Sequence, residues 1–272
     1  MLKRPLFCIF APKKQSVMRK KPFFGAAFAT LAMLSCNTHY QLTGVERTRI
    51  IIDSRYDQTP DEAAAKYLEP FRRVNDSVMG PVMGRVARNM HPTRPESDLS
   101  NLLADILIWA SKDYGEKPVL AVYNMGGIRS DLTKGDVTYG DVLAIAPFEN
   151  KICFVTMTGE QLMELFSQIA ATGGEGVSRG TRLVITADGK LVSARLNGKE
   201  IDPKGTYRVT TINYLLEGND GMTAFTKGTD KVAPDDASNN TRYLIMNYFK
   251  EKQAKGEVVD AKVEGRIVRS EE

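Results

Sequence analysis

Three consecutive cations, Arg19, Lys20 and Lys21, precede an apolar run from Phe23 to Leu34, which ends at the small Ser35 followed by Cys36. This feature decides how much of the chain is available to fold. A basic start, an apolar stretch too short to span a bilayer and a small residue at the exit make a secretory signal, expected over residues 1–35 with Met18 as a candidate true start. A short core helix would not begin with three cations. A cysteine at the cleavage point is where a bacterial lipoprotein receives its lipid, so Cys36 is the expected lipidation site, with Met33 standing where such signals more often carry leucine. The expectation is a protein of the bacterial cell envelope, periplasmic or at the surface, held to the membrane through an N-terminal lipid.

Removing the signal reverses the charge. Residues 1–35 hold seven Lys or Arg and no acid, so the formal charge falls from +4 to −3. The basicity of the whole chain therefore belongs to targeting and gives no reason to expect a nucleic-acid partner. A short tether at 36–44 and a single domain over 45–270 are expected, since no Pro/Gly/Ser tract interrupts the remainder. Cys8 and Cys36 fall outside that domain, which leaves Cys153 without a partner for a disulfide. It lies in KICFVTMT, an alternating strand-like run, and reads as a small core residue rather than a nucleophile.

Hydrophobic periodicity yields a mixture of helices and strands. RIIID (49–53) reads as a short strand, and EAAAKYLEPFRRVNDSVM (62–79) as a helix with a kink expected at Pro70. The strongest helix starts at Ser97 or Asp98, with Leu99, Leu102, Leu103, Ile106 and Ala110 on one face and Asn101, Asp105 and Lys112 elsewhere. VLAVY (119–123) is an apolar strand that runs straight into NMGGIR. CFVTM (153–157) leads to Thr158 and Gln161, spaced as a capping box for a helix with Leu162, Leu165, Phe166 and Ile169 inward. Asp188-Gly189 and Asn197-Gly198 mark hairpins, YRVTTI (207–212) a strand, 240–253 a last helix and RIVR a last strand. Strands and helices do not alternate strictly, so the fold class expected is α+β, a single domain of mixed sheet and helices.

The chemistry is bounded by what is missing. His39 and His91 are the only histidines, with His39 three residues beyond the expected anchor and His91 in a loop where it reads as solvated. A dinuclear metal centre commonly needs several His and Asp ligands, so no metal or other cofactor is expected on this chain. There is no Walker loop and no G-x-S-x-G elbow. What remains resembles a binding surface: Gly126 and Gly127 allow a sharp turn close to a ligand, Arg129 offers a fork of donors, and Asn124 at the strand end has both donor and acceptor. Phe148 follows a proline on a turn, and Tyr214 precedes a glycine-rich turn holding Asp220. Two such aromatics can sandwich a base while a carboxylate accepts from sugar hydroxyls, and by spacing alone ordinary turns and core aromatics stand beside that reading.

In order along the chain, N-M-G-G-I-R (124–129), G-D-V-T-Y-G-D-V-L-x-x-x-P-F-E-N (135–150), T-G-E-Q-L (158–162), Y-R-V-T-T-x-N-Y-L (207–215) and G-N-D-G (218–221) resemble the C-terminal domain of the 5′-nucleotidase family. PESDLSNLLADIL (95–107) is similar to that domain's first helix, so the resemblance covers most of residues 45–270. It implies a nucleotide-binding domain in which Phe148 and Tyr214 clamp the base, Asn124 contacts it, Arg129 meets the ribose-phosphate end and Asp220 accepts from the ribose hydroxyls. The family often has an arginine where Pro95 stands here, which makes Arg94, one residue earlier, a further phosphate candidate. Asn219 replaces a glycine of the last motif, a position asparagine tolerates in a left-handed backbone.

The resemblance also implies a division of labour. In the family a separate N-terminal metallophosphoesterase domain carries two metals and performs hydrolysis, and no such domain is recognisable here. The function implied is binding of an AMP-like nucleoside 5′-phosphate for hydrolysis, in nucleotide catabolism, together with a metallophosphoesterase supplied as a separate protein that holds the divalent metals. A non-catalytic lipoprotein that scavenges or senses nucleosides would use the same clamp. A domain kept only for assembly would bind no nucleotide.

Overall fold

The computed structural model describes residues 42–58 and 61–270, in two units that part at residue 60. The expected signal at 1–35 and Cys36 lie outside the described residues. In the first unit residues 42–53 form no helix or strand, and a 3-10 turn follows at Ser54–Gln58, where the Asp53 carboxylate accepts from the Arg55 amide at 3.0 Å. The strand expected at 49–53 does not form. Ile50, Ile51 and Ile52 all stand exposed, and β-propensity does not hold a strand whose amides meet no neighbouring strand.

The second unit begins at Asp61. Its described residues hold six α-helices: α1 Glu62–Met79, α2 Asp98–Ala110, α3 Tyr139–Ile145, α4 Gly159–Ala171, α5 Asn213–Leu216 and α6 Thr241–Ala254. Eleven strands accompany them: β1 Val82–Val86, β2 Leu120–Tyr123, β3 Gly135–Thr138, β4 Ile152–Thr158, β5 Gly176–Val177, β6 Thr181–Ile185, β7 Leu191–Leu196, β8 Lys199–Glu200, β9 Thr206–Ile212, β10 Thr229–Val232 and β11 Ile267–Arg269. They form a pair β1-β3, a five-stranded sheet in the order β10-β4-β9-β2-β5 and a four-stranded sheet β11-β6-β7-β8. Only β2 with β9 and β11 with β6 run parallel, which is the mixed α+β architecture expected from the sequence.

Local signals set most boundaries. Helix α1 is capped by Asp61, which accepts from the Ala64 amide, and continues through Pro70 for its full 18 residues. None of its residues is buried, and Tyr67, Phe71, Val74 and Val78 stay exposed along one stripe. Helix α2 is capped by Ser97, with Ser100 returning the bond, and buries the face expected of it. Asn101, expected on a polar face, is buried too, because its amide donates to Glu96 Oε1 (2.6 Å) and the Lys262 carbonyl (3.0 Å). Thr158 and Gln161 form the expected box at the start of α4. Asn197 and Gly198 both take left-handed backbone between β7 and β8, as a tight hairpin requires.

The core lies around the five-stranded sheet. Strand β2 sits between β9 and β5 with every residue buried, which is why LAVY (120–123) is continuously apolar. Cys153 in β4 is fully buried and burial pushes its thiol up to about 12, so it behaves as the small core residue expected. One consequence of the pairing matters for the site. Leu120 pairs with Val209 and Ala121 with Thr210 in parallel, while Ile152 faces Ile212 across an antiparallel ladder. The ends of β2 and β9 and the beginning of β4 therefore arrive at one edge of the sheet.

Candidate functional site

That edge carries the site. The chain leaves β2 at Asn124 and enters a 3-10 turn, Met125–Gly127; it leaves β9 into α5, which presents Tyr214; and it approaches β4 through Phe148 and Asn150. A cavity of about 300 Å³ is lined by Asn124, Gly126, Gly127, Arg129, Phe148, Asn150, Tyr214 and Asp220. The cavity thus gathers every residue expected to bind the nucleotide except Arg94. A larger, open cavity of about 560 Å³ on the four-stranded sheet, bordered by Met163, Arg182, Arg195 and Glu200, contains none of them.

Several bonds fix the three segments relative to one another. The Asn213 side chain accepts from the Lys151 amide (2.9 Å) and the Asn213 amide donates to the Lys151 carbonyl (2.9 Å), so α5 and the Phe148 segment are stapled together. Arg242 of α6 is buried, and its guanidinium donates to the carbonyls of Ala146 (3.2 Å) and Pro147 (2.6 Å), which holds the turn beneath Phe148. Phe148 is 48% exposed and Tyr214 37% exposed. Neither ring stacks on another aromatic among the described residues, and both line the cavity.

The polar groups divide into bound and free. Asn124 is buried and its Nδ2 donates to Asp220 Oδ2 at 3.0 Å, while its Oδ1 is buried without a partner. It organises the site more than it reaches into it. Gly127 is required by this side chain: a Cβ there would lie 2.5 Å from Asn124 Oδ1. Neither Gly126 nor Gly127 adopts a positive φ, so the need for glycine is close approach rather than the left-handed turn. Asp220 itself is left-handed, with φ 52°, and its Oδ1 accepts from the Tyr214 hydroxyl at 2.9 Å. That hydrogen bond to a carboxylate raises the Tyr214 phenol above its ordinary value. In the same turn the left-handed residues are Gly218, Asp220 and Gly221, not Asn219, whose Nδ2 instead donates to the Tyr214 carbonyl (2.9 Å).

Arg129 is exposed and donates only weakly to the Gly126 carbonyl, at 3.4 Å. No carboxylate pairs with it among the described residues, which leaves its fork for an anion. Arg94 behaves differently and lies off the cavity lining. Its Nη2 donates to Glu175 Oε1 at 2.5 Å and its Nε to the Gly174 carbonyl at 2.8 Å. The Glu175 side chain is fully buried, and its Oε2 accepts from the Met125 amide at 2.5 Å. Burial pushes the Glu175 carboxyl up, against the opposing pull of the Met125 amide and Arg94. Arg94 is thus tied to a buried acid, away from the residues that line the cavity, and the pair braces the turn that carries the glycines.

Asn150, Glu175 and Arg242 were not singled out from the sequence. Asn150 could have been, since it stands two residues after Phe148 in the same motif; the others act across distances that no local pattern records. His91 is exposed and its Nδ1 lies 2.9 Å from Asp131 Oδ2. Among the described residues no group of three His, Cys, Asp or Glu is placed to hold a metal ion.

Comparison with known proteins adds an independent view. Residues 78–227 match a family model described as 5′-nucleotidase, C-terminal domain. The chain is 29% identical over 236 residues to a trifunctional nucleotide phosphoesterase protein of Bacillus subtilis, covering 79% of this chain and 16% of that protein. It is 30% identical over 188 residues to a cell wall protein of Listeria monocytogenes, covering 64% and 24% respectively. Among solved structures, a 5′-nucleotidase precursor from Thermus thermophilus superposes with a TM-score of 0.64 at 27% identity, over 78% of this chain and 43% of that one. In each case the chain spans less than half of the similar protein's length.

Proposed function

The chain belongs to the 5′-nucleotidase C-terminal domain family, and from that premise we propose that the cavity binds a nucleoside 5′-phosphate for hydrolysis by a metallophosphoesterase carried on a separate chain. The observation that supports this most is the arrangement of two exposed rings, one carboxylate and one guanidinium without an acid partner around a single cavity. Phe148 and Tyr214 take the base between them, Asp220 accepts from the ribose hydroxyls and Arg129 receives the phosphate. The partner's two divalent metals supply the activated water and the charge stabilisation at phosphorus. This chain supplies binding and orientation, which lower a barrier when the geometry is right. Export by the segment 1–35 and a lipid on Cys36 place it in the bacterial envelope, a location supported by the name of the Listeria relative.

Calorimetric titration of AMP and then adenosine into the purified chain tests the reading. Phe148→Ala is expected to weaken AMP binding by about 1–3 kcal/mol, the value of one base stacked on an aromatic, or roughly 5- to 150-fold. Equal affinity for adenosine and AMP would favour a scavenging or sensing protein over a hydrolase component. Release of phosphate from AMP by the isolated chain at enzyme-like rates would refute the division of labour.

A further inference from the structure

Asp220 occupies an unusual position for a recognition group. Its backbone is left-handed, and it is flanked by a turn with φ 88° at Gly218 and 77° at Gly221. Main-chain bonds from Gly218 to the Leu215 carbonyl and from Met222 to the Asn219 carbonyl close this turn, but they leave the Asp220 side chain unfixed. The carboxylate is held instead by two side-chain donors, Asn124 Nδ2 on Oδ2 (3.0 Å) and the Tyr214 hydroxyl on Oδ1 (2.9 Å). Asn124 is buried and anchored at the end of β2, whereas Tyr214 is a cavity ring. Asn219 Nδ2 closes the turn back onto the Tyr214 carbonyl, so Tyr214 grips the loop with both its main chain and its hydroxyl.

We infer that the Tyr214 hydroxyl is a positioning group for sugar recognition, holding Asp220 so that its remaining lone pairs face a vicinal diol. Each carboxylate oxygen has two acceptor sites, and each uses one on a protein donor, which leaves one per oxygen for the two hydroxyls of a ribose. The ring and the hydroxyl of Tyr214 then perform separable tasks. The ring offers a stacking face that phenylalanine would offer equally, and the hydroxyl confers preference for a ligand with free 2′ and 3′ hydroxyls. The inference rests on the nucleotide reading of the cavity and specifies its ligand as a ribonucleoside or its 5′-phosphate.

The test compares adenosine with 2′,3′-dideoxyadenosine on the full chain and on Tyr214→Phe. The substitution is expected to weaken adenosine by about 2- to 12-fold, the range for one net hydrogen bond, and to leave dideoxyadenosine unchanged within twofold. In an Asp220→Ala background the same substitution is expected to have no further effect on adenosine, because the group it positions is gone. An equal loss for both ligands, or an additive loss in the Asp220→Ala background, would overturn the inference and assign the hydroxyl to ring placement. Unchanged or tighter adenosine binding by Tyr214→Phe would overturn it as well. Failure of the unsubstituted chain to bind adenosine or AMP would defeat the nucleotide reading itself, an outcome distinct from the others.

Discussion

Replacing Glu175 by alanine isolates what the buried acid does for the Met125–Gly127 turn. The substitution removes the acceptor of the Met125 amide, a bond of 2.5 Å in the interior, and the partner of Arg94. A buried amide left without a partner costs about 1–3 kcal/mol. Arg94 contributes less, because its side chain is 41% exposed and rehydrates, so the loss there is about 0–1 kcal/mol as for a surface pair. The expected destabilisation is about 2 kcal/mol, dominated by the amide, which for a domain of this size lowers the melting temperature by about 4–8 °C. The pH dependence gives a second handle. Burial raises the folded-state pKa of Glu175 above the ordinary 4.5, so between those values the native state binds more protons than the unfolded one, and stability falls as pH rises through the window. Glu175→Gln does not titrate, so it is expected to gain on the wild type from about pH 4.5 upward. Urea unfolding of the three proteins between pH 4 and 8 measures both effects. An alanine variant as stable as the wild type, or a glutamine variant that loses ground as pH rises, would refute the argument that the fold carries this acid at a desolvation cost to brace the turn.

Two further outcomes follow from the same coordinates. Gly127→Ala drives a Cβ to within 2.5 Å of Asn124 Oδ1, so the Asn124 amide shifts and its bond to Asp220 is lost; overpacking of this kind costs about 1–3 kcal/mol, and titration is expected to show AMP binding weakened while Gly126→Ala, whose nearest contact is 3.7 Å away, is milder. The hydrogen bond from Arg208, at 2.5 Å, lowers the Glu116 pKa below its ordinary 4.5, so the stability this pair contributes is present above that value and lost as pH falls through the folded value. Arg208→Gln is therefore expected to flatten the acid limb of the stability profile below about pH 4.5, measured by denaturant unfolding, and an unchanged acid limb would exclude the pair as its source.

How much was legible in the sequence follows the range of each interaction. Capping and periodicity act within four residues, so Ser97 and Thr158 open their helices where the sequence places them, the Asn197-Gly198 turn is where two left-handed residues are expected, and helix 62–79 has its observed bounds. Phe148 and Tyr214 stood out in the sequence because one follows a proline on a turn and the other follows a strand end ahead of a glycine-rich turn. The strand expected at 49–53 failed for the opposite reason, since strands are completed by partners that a local pattern does not contain. The gathering of the site was decided by the ladders: parallel β2-β9 and antiparallel β4-β9 pairings bring residues near 124, 150 and 214 to one edge. Individual roles were decided there as well. The Asn124 amide donates to Asp220, 96 residues on, and Arg94 is captured by Glu175, 81 residues on. By itself the sequence determined the inventory of groups and the short elements that carry them, because those depend on neighbours along the chain. Which groups are left free to meet a ligand was decided only by the tertiary structure, because that depends on which distant donors and acceptors reach them first.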